Sequence, residues 1–183
     1  MFHCQCSRSS VGLRRMWVLL FAGLLWGVPL AALASAPTTP GSGLIGVQKR
    51  EHIRVVYDVR DDVWAAGIGK ALYYVRGLIE AYRSLGVMPD KLHVSVVVAG
   101  KAAYWLLDDE AYQVHKGDEF AYNPNRKVVE ELIDLGVSVE LCNATMKARG
   151  WQPDALLPGV KRVHDGYTRL IDLQLQGYAY IRF

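Results

Sequence analysis

The chain has 183 residues, 51% of them hydrophobic, with 21 Lys+Arg against 18 Asp+Glu. Arg8, Arg14 and Arg15 lie before residue 37 and no acidic residue does, so the remaining 147 residues balance at 18 of each sign. The basic pI therefore belongs to the N-terminal stretch, and no basic stripe is left to read as a nucleic-acid surface.

That stretch has the organisation of a secretory signal peptide. A basic segment precedes the apolar run "MWVLLFAGLLWGVPLAAL", and "ASA" (34–36) offers small residues for cleavage before Pro37. The expected organisation is a leader over 1–36, a Pro/Gly/Ser/Thr linker over 37–50 and one domain over 51–183. This implies a periplasmic location and no membrane attachment once the leader is removed; the alternative is an apolar run retained as a membrane anchor. Arg14-Arg15 leaves Sec and Tat export both open. Cys4 and Cys6 would leave with the leader. Cys142 would then be the lone thiol of an exported protein, either an inert core residue or a reactive group.

In chain order, "HIRVVYDV" (52–59) reads as a strand. The stretch 63–86 reads as a helix with the stripe Ala71, Leu72, Val75, Leu78, Ile79, Tyr82 and Leu85, ended by Gly86. On this reading Gly67 and Gly69 are packing glycines inside a helix; the spacing of a phosphate loop is absent. "KLHVSVVVAG" (91–100) is a buried parallel strand, 102–115 a helix, and 117–124 a loop. A helix over 125–136 stops at a glycine and the strand "VSVELC" (137–142) follows. A short helix over 144–151 comes next, capped by Asn143 or Thr145, and 152–159 is a loop. A strand over 160–166, a helix over 167–177 and a closing strand over 178–183 complete the chain. The alternating "GYAYIRF" suits an edge strand that another subunit covers. Strands that alternate with helices demand parallel pairing and helices on both sheet faces. The expected fold is an α/β three-layer α/β/α sandwich around a mostly parallel five-stranded sheet.

In such sheets reactive groups gather at the carboxyl ends of the strands, where Cys142 falls. A following helix N-terminus favours a thiolate, and Lys147, Arg149 and Lys101 would add positive field. His164, next to Asp165, is a candidate acid or base for the sulfur; the alternative is a polar strand end with Asp165 as a helix cap. His115 is expected at the surface. Asp58, Asp61 and Asp62 are expected in a solvated loop, without the partners a metal site requires. Tyr104, Trp105, Tyr112, Phe120 and Tyr122 mark a subunit contact, a lid over the thiol, or core. Neither a cofactor nor a metal is expected.

The strand "VELC", the basic-Gly ending "MKARGW", the preceding "NPNRKVVEELIDLG", "GKAAYWLLDDEAY" and the C-terminal "LIDLQLQGYAYIRF" together resemble the DsrE/DsrF-like family over about residues 50–183. The resemblance implies the three-layer fold and assembly into homotrimers or hexamers. Some members carry sulfur as a cysteine persulfide in sulfur oxidation or tRNA thiolation, and their acceptor cysteine matches Cys142. An exported chain has no access to cytoplasmic tRNA, which leaves sulfur carriage in the periplasm, with donor and acceptor unidentified. The alternative is a non-enzymatic homo-oligomeric binding or scaffold protein with an inert cysteine. A third reading is a redox sensor that forms an intermolecular disulfide.

Overall fold

The computed structural model describes residues 45–183; the leader, its cleavage motif, Cys4, Cys6 and the first part of the linker lie outside the described residues. The elements in order are β1 (Ile53–Val59), β2 (Trp64–Ala65), β3 (Ile68–Gly69), α1 (Lys70–Ser84), β4 (Leu92–Val98), α2 (Asp109–Lys116) and α3 (Arg126–Asp134). They continue with β5 (Ser138–Cys142), α4 (Asn143–Ala148), β6 (Lys161–Val163), α5 (Gly166–Leu175) and β7 (Ala179–Arg182). Five strands form one sheet in the order β6-β5-β4-β1-β7, every neighbour parallel. This is the expected α/β sandwich.

Alternation along the strands separates the two faces. Val55, Tyr57 and Val59 of β1, with Val94, Val96 and Val98 of β4 and Val139 and Leu141 of β5, pack in one large core with α1 and α3. Val56 and Val97 point to the opposite face, under Leu170 and Leu173 of α5. Glu140 and Cys142 share the parity of that second face. The thiol therefore belongs to the layer covered by α5.

Two parts of the chain differ from their sequence patterns. The start of the expected helix 63–86 is a β2–β3 hairpin, turned at Ala66 (φ 50°) and Gly67 (φ 81°). Two successive positive φ values are the requirement of a tight hairpin turn and are incompatible with a helix. Gly67 is thus a turn residue. Gly69 is a packing residue as expected, since a Cβ there would lie 2.5 Å from the Trp105 ring. The second difference is that 102–115 is not one helix. A 3₁₀ segment, Gly100–Leu106, buried from Ala102 onward, comes first, and α2 begins only after Asp108, whose side chain caps it by accepting from Ala111 N–H at 2.8 Å. Within the short helix α4 neither expected cap acts. Cys142 occupies the N-cap position without a side-chain hydrogen bond, and the Thr145 hydroxyl accepts instead from Gly100 N–H at 3.3 Å.

Candidate functional site

Cys142 ends β5, pairs with Val163 of β6 and leads directly into α4. It is 4% exposed. Across from it stands the start of α5. A Cβ built on Gly166 would lie 3.6 Å from Cys142 Cβ, 3.8 Å from its Sγ and 3.8 Å from Ala99 Cβ. These are ordinary van der Waals distances, so Gly166 and Ala99 leave beside Sγ a space of about one methyl group. A side chain at 166 would close it.

Near Gly166, α5 is tied to β5 by a charge pair that the sequence reading missed. Glu140, two residues before Cys142 on the same face of β5, is 1% exposed. Arg169, one turn beyond Gly166 on α5, grips it with both arms: Nε donates to Oε2 at 2.7 Å and Nη2 to Oε1 at 2.8 Å. The Ser138 hydroxyl adds a third donor to Glu140 at 2.9 Å. The hydrogen bonds to Glu140 hold the guanidinium pKa far above its ordinary value. A glutamate inside "VSVELC" was the available signal, because a carboxylate in a two-sided buried strand requires a cationic partner.

Asp165 takes the cap role at the start of α5. The Asp165 carboxylate caps α5, accepting from Tyr167 N–H at 2.8 Å and Thr168 N–H at 3.1 Å. His164 lines an open depression with Lys161, Asp165 and Arg169 beside β6. The cap reading holds for Asp165. Lys101, Lys147 and Arg149 are all exposed. Lys147 borders a surface depression with Asn143 and Arg162, and Arg149 acts on His115. The Oδ1 of Asn143, the residue that follows Cys142, is buried with no partner among the described residues.

Of the three aspartates Asp58, inside β1, departs from a solvated loop, while Asp61 and Asp62 are exposed. Asp58 is buried, where it accepts from Arg60 Nε at 2.8 Å and from the Tyr180 hydroxyl at 2.8 Å. Asp62 gathers Trp64 Nε1 at 2.7 Å, the Tyr104 hydroxyl at 2.8 Å and Trp105 Nε1 at 3.0 Å. That carboxylate ties the β2–β3 hairpin to the 3₁₀ segment, and Tyr104, Trp105 and Tyr112 are core residues. Burial, then the hydrogen bond to Asp62, pushes the Tyr104 pKa up to about 12. Phe120 and Tyr122 are exposed.

His115 is half-buried, contrary to expectation. Its ring stacks on Tyr104 at 4.7 Å and meets the edge of Trp151 at 5.7 Å. Burial, then the Lys116 and Arg149 charges, lowers its pKa, against an opposing pull from Asp62. The unfolded chain then binds a proton at a higher pH than the folded one, so this group's contribution is whole above about 6.5 and falls as pH drops below it. Thermal melts across that window are expected to show a smaller acid loss for His115→Gln than for the native protein. Identical slopes would mean that His115 is not the sensitive group.

No functionally curated protein matches the chain. Among solved structures, the chain is similar to a protein of unknown function, MTH1491 from Methanobacterium thermoautotrophicum. The TM-score is 0.50 at 27% identity, over 72% of this chain and 99% of that one. The ychN protein from E. coli aligns at a TM-score of 0.44 and 18% identity, over 72% and 99% of the two chains. The model of the DsrE/DsrF-like family matches residues 69–183, from the packing glycine at the end of β3 through Cys142 and the whole of α5 and β7, and the chain belongs to that family.

Proposed function

We propose that the protein is an exported sulfur carrier that holds one sulfane sulfur on Cys142. The observation that carries the reading is the space beside Sγ. It is bounded by Ala99 and Gly166, where a methyl-sized group would meet only ordinary contacts. The Cys142 thiolate attacks a terminal sulfane sulfur of a polysulfide. The donor S–S bond breaks, and the shortened polysulfide leaves with the electron pair. An acceptor thiolate then attacks the outer sulfur, and Cys142 departs as thiolate. Sulfur moves with no net oxidant consumed, under the same rules of access and leaving-group quality that govern thiol exchange.

The burial of Cys142 favours a second reading, in which the thiol is a packing residue of a non-enzymatic binding protein. Mass spectrometry after polysulfide treatment separates the two. The carrier gains one sulfur on Cys142, the Cys142→Ser variant gains none, and a bulky maleimide labels the native protein far more slowly than the small donor does. An unchanged mass under conditions that label denatured protein refutes the carrier. Export through the leader is part of the proposal. An N-terminus near residue 37 in periplasmic extract supports it, and recovery of the intact chain in the cytosol contradicts it.

A further inference from the structure

The two edges of the sheet are built differently. The β6 edge is three residues long, and it presents Lys161 and Arg162, the charged side chains that discourage strand addition. β7 carries "AYIR", with no proline and one charge, and among the described residues it pairs only with β1. Apolar groups flank it on both faces. On the α5 side lie Tyr180, Tyr167 and Ile171, and on the α1 side Tyr74 is stacked on Phe183 at 5.4 Å.

The backbone of β7 fixes what can add to it. Phe183 is turned toward β1, because its N–H donates to the Asp58 carbonyl at 2.9 Å and its own carbonyl accepts from Arg60 N–H at 3.5 Å. A strand alternates every residue, so Ile181 turns the same way, and the N–H and C=O of Tyr180 and Arg182 face outward. By their pairing with Val56 and Asp58, the Tyr180 and Arg182 side chains share the α5 face. A two-fold axis normal to the sheet makes two β7 strands antiparallel and keeps their faces matched. Centred on Ile181, that axis sets Tyr180 opposite Arg182 of the second copy, twice. All four outward backbone groups of each strand find partners in these pairs. Each guanidinium meets a phenol ring whose hydroxyl is bonded to the buried Asp58 carboxylate, a favourable cation–π pairing. A centre between the two Arg182 residues would oppose like charges instead.

We infer that two copies of this chain join β7 to β7, antiparallel about Ile181, to make one continuous ten-stranded sheet. The surface lies apart from Cys142, so the inference does not depend on sulfur carriage. The test uses sedimentation of the purified protein together with I181C and Y180C variants in a C142S background, C142S alone serving as control. Residues at a non-hydrogen-bonded antiparallel pair stand about 4.5 Å apart at Cα, within disulfide reach. An even-numbered assembly is expected, I181C closing a covalent dimer on mild oxidation and Y180C not. R182E should raise the dimer dissociation constant on the order of tenfold, through loss of both symmetric cross-strand pairs. A monomer at tens of micromolar concentration would overturn the inference, as would an odd-numbered assembly without I181C cross-linking. Cross-linking through Y180C instead would overturn the register.

Discussion

Arg169→Leu is expected to destabilise the protein by about 2–3 kcal/mol in urea unfolding and to raise the rate of Cys142 labelling at least tenfold. Removing one partner of a fully buried ion pair costs roughly 3–5 kcal/mol, because the remaining charge loses both water and its counter-ion. Arg169 keeps part of its side chain in solvent, at 29% exposure against 2% for Glu140, which places the effect below that range. The stability loss is shared by any structural ion pair; the thiol readout is specific to this one. Arg169 sits one turn beyond Gly166, and the fork on Glu140 is what holds the start of α5 over Sγ. Arg169→Lys keeps the charge but cannot reproduce two parallel hydrogen bonds, so it should fall between the native protein and Arg169→Leu in both measurements. The double replacement Glu140→Leu with Arg169→Leu should recover most of the stability, since two apolar groups leave no stranded charge. Unchanged thiol labelling in Arg169→Leu would show that α5 is held by Leu170 and Leu173 alone.

The order of elements was legible because each carries its own periodicity and stop. Gly86, Gly136 and Gly177 all take positive φ just past a helix, where a left-handed residue is needed. The stretch 64–69 was not legible as a hairpin because Trp64, Ala65 and Ile68 continue the apolar spacing of the helix behind them. The interruption comes from Ala66-Gly67, and only one of those two residues signals a positive φ. The break between the 3₁₀ segment and α2 was hidden in the same way, under uninterrupted helical spacing from Ala102 to His115.

The site was legible by position and obscure by partner. Strand-end placement put Cys142 correctly at the carboxyl edge of β5. The groups around it come from distant parts of the chain: Ala99 follows β4 and Gly166 opens α5. Asp58 offers the same lesson, since its Tyr180 partner lies 122 residues away. Read locally, Asp58, Asp61 and Asp62 belong to one polar stretch; in the fold Asp58 is buried within β1, and Asp58 and Asp62 are acceptors that fasten separate elements. For the adjacent pair His164-Asp165 the cap was legible, since aspartate is a favoured N-cap and its carboxylate does cap α5.

Gly166→Ala should abolish sulfur loading while leaving the protein as stable as before or slightly more so. Gly166 is the first residue of α5 and its φ lies outside the left-handed region, so alanine is conformationally free there. Replacing a helical glycine with alanine contributes about 0.4–1 kcal/mol by restricting the unfolded chain. A persulfide's outer sulfur lies about 2 Å from Sγ, so a methyl held 3.8 Å from Sγ would crowd it on the α5 side. It would press on nothing already present. Mass spectrometry after polysulfide treatment is expected to show at least a tenfold drop in the one-sulfur adduct, with the melting temperature unchanged or raised. Loss of loading with gain of stability cannot come from partial unfolding, which would expose the thiol and raise its labelling. Should Gly166→Ala load sulfur as the native protein does, the outer sulfur lies elsewhere, and the space between Ala99 and Gly166 serves only the packing of α5 on β5.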